Sequence, residues 1–318
     1  MKTKQSKTCM VYVLIFLLCI QLVACDDSGS DNPGSNPGQN PISSESTEKG
    51  SRGNTSVVLT PEASGTTTES CDVATIDASH ASEGYIMADY HGTNAKVKLQ
   101  IKGPDNVTYS YNMHGGYEVF PLTAGNGTYT IGVYENISGT KYATALSCRI
   151  EVTITNEFGP YLYPNQYVNF TASSLPVSKA CELAYTANND LEVVENVYNY
   201  MIRNFTYDYD KAASVKSGYL PVVDEVFQSN TGICFDYAAV MATMLRTQNI
   251  PTRLEVGYVG EEYHAWISTY IKDIGWVNGI IEFDGASWNL LDPTFASTSK
   301  SPTNFITENS KYLTKYVY

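Results

Sequence analysis

An all-β sandwich followed by an α+β domain is the fold class this sequence predicts. Three observations predict it. Between Ala95 and Ile154, apolar residues recur at every second position in short runs separated by Gly, Asn and Pro, the pattern of half-buried antiparallel strands. From about Val177 the period lengthens to that of helices, and the helix behind Cys234 is apolar on most sides. Strand-like segments then follow one another through short turns, and a buried helix against consecutive strands defines an α+β domain with an antiparallel sheet. A chain of 318 residues is long enough for two ordinary domains and accessory segments.

The first segment reads as targeting. Lys2, Lys4 and Lys7 form a positive n-region, and Met10–Ala24 is apolar apart from Gln21. That run is too short to span a bilayer comfortably and has the length of a signal h-region. It ends in Leu22-Val23-Ala24-Cys25, which resembles a bacterial lipobox. The expectation is a lipoprotein signal peptide over 1–24, lipidation of Cys25, and a protein anchored to the cell membrane on its extracytoplasmic side. Residues 25–69 are rich in Ser, Gly, Asn, Pro and acids, cannot bury enough apolar surface to offset their ordering entropy, and read as a disordered tether. The net charge of −13 becomes more negative once the three lysines are removed, which excludes a phosphate-binding, nucleic-acid partner.

The β-sandwich is expected over 70–156. Ala95, Val97, Leu99 and Ile101 alternate with Lys96, Lys98 and Gln100; a turn at Gly103–Asn106 returns the chain through Val107, Tyr109, Tyr111 and Met113. Tyr129, Ile131 and Val133 share a face, as do Leu146, Cys148, Ile150, Val152 and Ile154. Gly127-Thr128-Tyr129 resembles the tyrosine corner of immunoglobulin-like domains. His80, His91 and His114 are scattered among Ser, Gly and Tyr and read as surface or turn residues. Cys71 and Cys148 lie near the two ends of the sandwich, where they either pair or, as the alternation of Cys148 favours, face the core. No Cys-x-x-Cys pair and no calcium-loop pattern occurs, so no metal or cofactor is expected.

Residues 157–176 form an aromatic, proline-punctuated connector, and the domain over 177–318 carries the chemistry. One helix runs from about Val177 to Ala187; Asn189 or Asp190 caps a second with Leu191, Val194, Val197, Tyr198, Met201, Ile202 and Phe205 on its apolar stripe. After a loop through Tyr207–Asp210, Gly232 permits a close backbone approach before Cys234 opens the buried helix. Arg253–Val259, Tyr263–Lys272, Gly275–Phe283 and Ser287–Asp292 read as strands. A thiol at a helix N-terminus feels unpaired amides that favour thiolate and can also donate to an oxyanion. His264 would take the thiol proton and deliver it to a leaving group, and Asp292 would hold the imidazole in the working tautomer. Each of the three is also an ordinary structural residue when taken singly; their order and contexts make them a candidate triad.

The stretches GICFDYAAVMATMLRTQNIPTRLEVGY, HAWISTYIKDIGWVNG and LLDPTFA resemble the core of the bacterial transglutaminase-like superfamily. The resemblance covers about 190–297. It implies a papain-like fold relation and a Cys-His-Asp triad falling on Cys234, His264 and Asp292. The segment Gly279–Ala286 departs from the simpler pattern and would add a hairpin beside the site. Tyr207 or Tyr209 could supply the second oxyanion donor or pack in the core, and Trp266, on the strand face of His264, lines the site or the core. Asp236 and Tyr237 support the helix start. The reaction expected is acyl transfer or hydrolysis on protein or peptide amides at the cell surface, through a Cys234 thioester. The triad alone does not separate a transglutaminase from a peptidase. A catalytically idle surface-binding or adhesion lipoprotein is the alternative, and an intact Cys, His and Asp argue against it.

Overall fold

The computed structural model describes residues 48–283, 288–290 and 312–318. The expected signal peptide, Cys25 and Asp292 lie outside them. These described residues form one compact unit.

The first eight strands are β1 (Thr68–Ser70), β2 (Ala74–Asp77), β3 (Tyr85–Tyr90), β4 (Val97–Lys102), β5 (Thr108–Met113), β6 (Gly116–Pro121), β7 (Gly127–Ser138) and β8 (Lys141–Val152). They make two antiparallel four-stranded sheets, ordered β1-β2-β3-β6 and β5-β4-β7-β8. The period-two pattern holds where it was legible. Val97, Leu99 and Ile101 of β4 are buried while the residues between them are not. Ile86, Ala88 and Phe120 from the first sheet meet Leu99, Ile101 and Ile131 from the second in a shared core. Strands β1, β2, β3 and β6 add to those the alternation had picked out.

The second half contains α1 (Leu175–Ala184), α2 (Asp190–Asn204), β9 (Thr206–Tyr207), α3 (Tyr209–Ser214), α4 (Val223–Ser229), β10 (Thr231–Gly232) and α5 (Cys234–Arg246). Then come β11 (Thr252–Val259), β12 (Glu262–Ile271), β13 (Gly275–Phe283), β14 (Trp288–Leu290) and β15 (Tyr312–Val317). Asn189 caps α2 by accepting from the Glu192 amide at 3.0 Å, as its residue type predicts. The last five strands form one antiparallel sheet, β14-β13-β12-β11-β15, against which α5 packs. Every residue of α5 from Asp236 to Arg246 is buried, so its apolar composition reflects its central place.

The exit of α5 is fixed by Arg246. Its guanidinium is buried and donates to the backbone oxygens of Thr252 (3.0 Å), Tyr163 (2.7 Å) and Tyr318 (2.9 Å). One side chain thereby ties the helix end to β11, to the connector and to the residue after β15. The connector also reaches back to the first half: Tyr163 donates to Glu83, and Gln166 Nε2 donates to the Asn112 carbonyl at 2.7 Å.

Residues 48–69 depart from the expected tether. Arg52 bonds Asp190 at 2.6 Å and the Gln248 carbonyl at 2.6 Å, Asn54 bonds the Cys181 carbonyl at 3.0 Å, and the Val57 amide bonds the Thr247 carbonyl at 2.8 Å. Composition misleads here because the segment needs no core of its own. It satisfies its polar groups on acceptors left at the turn between α1 and α2 and at the exit of α5.

Candidate functional site

The site begins with how α5 starts. A Cβ on Gly232 would stand 2.7 Å from Cβ and 2.9 Å from Oδ2 of Asp236, so only glycine admits that carboxylate. Asp236 is fully buried and accepts the Ile233 amide at 2.9 Å. Ile233 has no side-chain acceptor, so this is the reciprocal half of a capping box. Lys211 on α3 and Tyr219 from the turn after it complete the carboxylate: Lys211 Nζ at 2.6 Å and the Tyr219 hydroxyl. Lys211 also bonds the Tyr219 hydroxyl at 2.7 Å, and burial followed by the Asp236 hydrogen bond pushes the Tyr219 phenol well up. Lys211 and Tyr219 carry no signal in the sequence, since α3 is short and the turn after it has no periodicity. The Gly-x-Cys-x-Asp spacing around Cys234 is the trace that could have pointed to their target.

Beside this clamp, β9 and β10 form a parallel pair only two residues long, with Gly232 opposite Tyr207. The Thr206 amide bonds the Asn230 carbonyl and the Asp208 amide bonds the Gly232 carbonyl, both at 2.9 Å. This pairing carries the Tyr207 hydroxyl to Cys234. The hydroxyl accepts the Cys234 amide and donates to the sulfur, and burial, with the thiol beside it, pushes the phenol up to about 12. Tyr209 packs its ring 5.0 Å from that of Tyr207 and is 59% exposed, so it stands at the rim.

Cys234 itself is half-buried. Burial pushes its thiol above the ordinary range. The amides of Ala265 and Phe235 and the Tyr207 hydroxyl pull in the opposite direction without prevailing. The expectation of a helix terminus favouring thiolate is therefore half right: the donors are present, and desolvation outweighs them.

His264 immediately precedes Ala265 on β12, pairs with Gly257 of β11, and is half-buried. An Ala265 amide bonded to the sulfur puts the strand position of His264 next to Cys234. Trp266 is 2% exposed and packs edge-on against Tyr312 at 5.1 Å, with its bulk in the core. Asp292 lies outside the described residues, as does part of the Gly279–Ala286 segment. Tyr263 precedes His264 on the strand, so its side chain leaves the opposite face of the sheet, where it is 60% exposed with its ring 5.3 Å from that of Tyr258.

Such an arrangement sets amide and hydroxyl donors around a thiol, with a histidine at the neighbouring strand position. Residues 178–279 match the Transglutaminase-like superfamily. Among curated proteins, the uncharacterized protein YebA of Bacillus subtilis (strain 168) is 25% identical over 149 residues, covering 40% of this chain and 20% of that protein. UPF0252 protein MJ1282 of Methanocaldococcus jannaschii is 28% identical over 92 residues, covering 25% of this chain and 26% of that protein. The chain thus spans about a fifth to a quarter of the length of these curated relatives. Among solved structures, a candidate cysteine protease from Cytophaga hutchinsonii is similar at 12% identity and a TM-score of 0.36, covering 79% of this chain and 73% of that one.

Proposed function

We propose, from the match of residues 178–279 to the transglutaminase-like superfamily, that the protein is a cysteine enzyme acting on protein or peptide amides through a Cys234 thioester. The observation that carries the proposal is the shell around the sulfur. The Phe235 and Ala265 amides and the Tyr207 hydroxyl converge on it, with His264 adjacent to Ala265.

His264 removes the proton from Sγ, which burial otherwise keeps in place. The thiolate attacks the carbonyl carbon of a carboxamide or peptide bond. The oxygen of the tetrahedral intermediate takes the Cys234 amide, which in the free protein is given to Tyr207, and accepts the Tyr207 O–H as the second donor. His264 then protonates the departing amine, the C–N bond breaks, and a thioester remains. An amine or a water molecule, deprotonated by the same imidazole, releases the acyl group. Asp292 orients His264 in this scheme. The Asp236–Lys211–Tyr219 clamp holds the helix start and takes no proton.

The lipobox-like Cys25 supports placement at the membrane on the extracytoplasmic side, where envelope or surface proteins would be the substrates. The order of the first two sheets supports an immunoglobulin-like reading of that module. So does the Tyr129 hydroxyl, which donates to the Gly125 carbonyl at 2.8 Å as a tyrosine corner does.

The test is incubation with a glutamine-containing peptide and hydroxylamine, with hydroxamate and free acid both measured. Hydroxamate formation identifies acyl transfer, and free acid or cleaved peptide alone identifies hydrolysis. Absence of any product, with no loss on Cys234→Ala, would leave the idle surface-binding lipoprotein as the better reading.

A further inference from the structure

The outer face of the sheet β5-β4-β7-β8 carries a hollow that the chemistry at Cys234 does not use. It holds about 280 Å³ and is lined by Lys98, Gln100, Tyr134, Gly139, Thr140 and Tyr142. From this hollow we infer a binding site for an acidic saccharide, standing on the sheet and independent of whether Cys234 reacts.

The aromatic part of the hollow depends on a glycine. A Cβ on Gly132 would lie 2.7 Å from the Tyr134 ring, so glycine lets that ring rest against its own strand. Lys98 sits opposite Tyr134 in the register of β4 and β7, and its Nζ stands 5.1 Å from the centre of the Tyr142 ring. Ring faces suit the C–H faces of a pyranose, and the hydroxyls and amide of Tyr134, Tyr142, Thr140 and Gln100 suit its hydroxyls.

Charge selects an acidic sugar. The chain carries −13 overall, yet no Asp or Glu lines the hollow. Alternation along β4 puts Lys102 on the same face as Lys98, and Arg149 lies on that face opposite Thr130. Glu151, farther along β8, is engaged by Thr128. A protein partner would call for a contiguous apolar patch with a buried anchor, and this face offers hydroxyl-bearing rings and neutral polar groups instead.

Lys98 also lines a second hollow of about 190 Å³, together with Ser110, Asn112, Ser217 and Gly218. Gly218 is pressed onto Asn112, and the next residue, Tyr219, bonds Asp236 at the head of α5. The two hollows thus share Lys98 as a lining residue, and the second borders the segment that braces the Cys234 helix.

The test is calorimetric titration of the full chain carrying Cys234→Ala, so that catalysis plays no part. The probes are oligogalacturonate, a neutral cello-oligosaccharide of equal length, and a poly-glutamate peptide of equal charge. Saturable binding of oligogalacturonate is expected, weakened about tenfold or more by Tyr142→Ala and by Lys98→Gln, and less than about twofold by Lys102→Gln. Thr140→Glu, at an exposed turn position, places a carboxylate in the hollow and should abolish binding. Four results would overturn the inference: no saturable binding of oligogalacturonate, equal binding of poly-glutamate, equal binding of the neutral sugar, or a Lys102→Gln loss as large as that of Lys98→Gln.

Discussion

Three donors reach the Cys234 sulfur, yet burial outweighs them and pushes the thiol above its ordinary range. That balance makes Tyr207 informative. Its hydroxyl lowers the thiol pKa and, in the mechanism, donates to the oxyanion. Tyr207→Phe should raise the thiol pKa further, so the thiolate fraction at any given pH falls. The midpoint of the iodoacetamide rate against pH is expected to move upward, and an unmoved or lowered midpoint would contradict the assignment. Loss of one oxyanion donor should also reduce kcat by about 10² to 10³-fold with little change in KM. The places of Cys234 at the head of α5 and of His264 on β12 were legible from residue type and motif order. The contact of Tyr207 was not, because it depends on a two-residue parallel pair that leaves no periodic trace in the sequence.

Among the elements, α5 concentrates the constraints. Its start is held by the buried Asp236 and its end by the buried Arg246, so each terminus is satisfied by a charged side chain inside the protein. Arg246→Met should destabilise by about 2–4 kcal/mol, since three backbone oxygens lose their donor and the aliphatic replacement offers none. Urea unfolding measures this; an unchanged midpoint would mean the oxygens find other partners. Asp236→Asn should cost about 3 kcal/mol, because Lys211 and the Ile233 amide both lose a charged acceptor. The helix and the strands β11–β13 could be read from period and turn residues. Helices α3 and α4 and strand β15 could not, since they are short and are held by tertiary contacts rather than by pattern.

At the scale of the whole molecule, the β-rich half and the helical half share one core, and the connector ties them by polar contacts as well. Glu83 is one such tie: the Tyr163 hydroxyl, and after it His80, hold its carboxyl below the ordinary value of 4.5. A lowered carboxyl stabilises the fold above its unfolded value and loses that contribution as pH falls through the folded one. Glu83→Gln should therefore lower Tm at pH 7, with the gap to the parent protein closing below about pH 4. A gap of constant size from pH 7 to pH 3 would show that the carboxylate charge is not the source. The docking of residues 50–57 belongs to this scale too. A stretch that is polar by composition becomes structured because another part of the chain supplies its acceptors.

The covalent intermediate tests the central claim most directly. Intact-mass measurement of the protein, quenched in acid soon after mixing with a glutamine peptide ester, should show one added acyl group on Cys234 in the parent chain. The adduct should be absent in Cys234→Ala and greatly slowed in His264→Ala. An acyl group found on another residue, or a His264→Ala protein that acylates at the parent rate, would contradict the account.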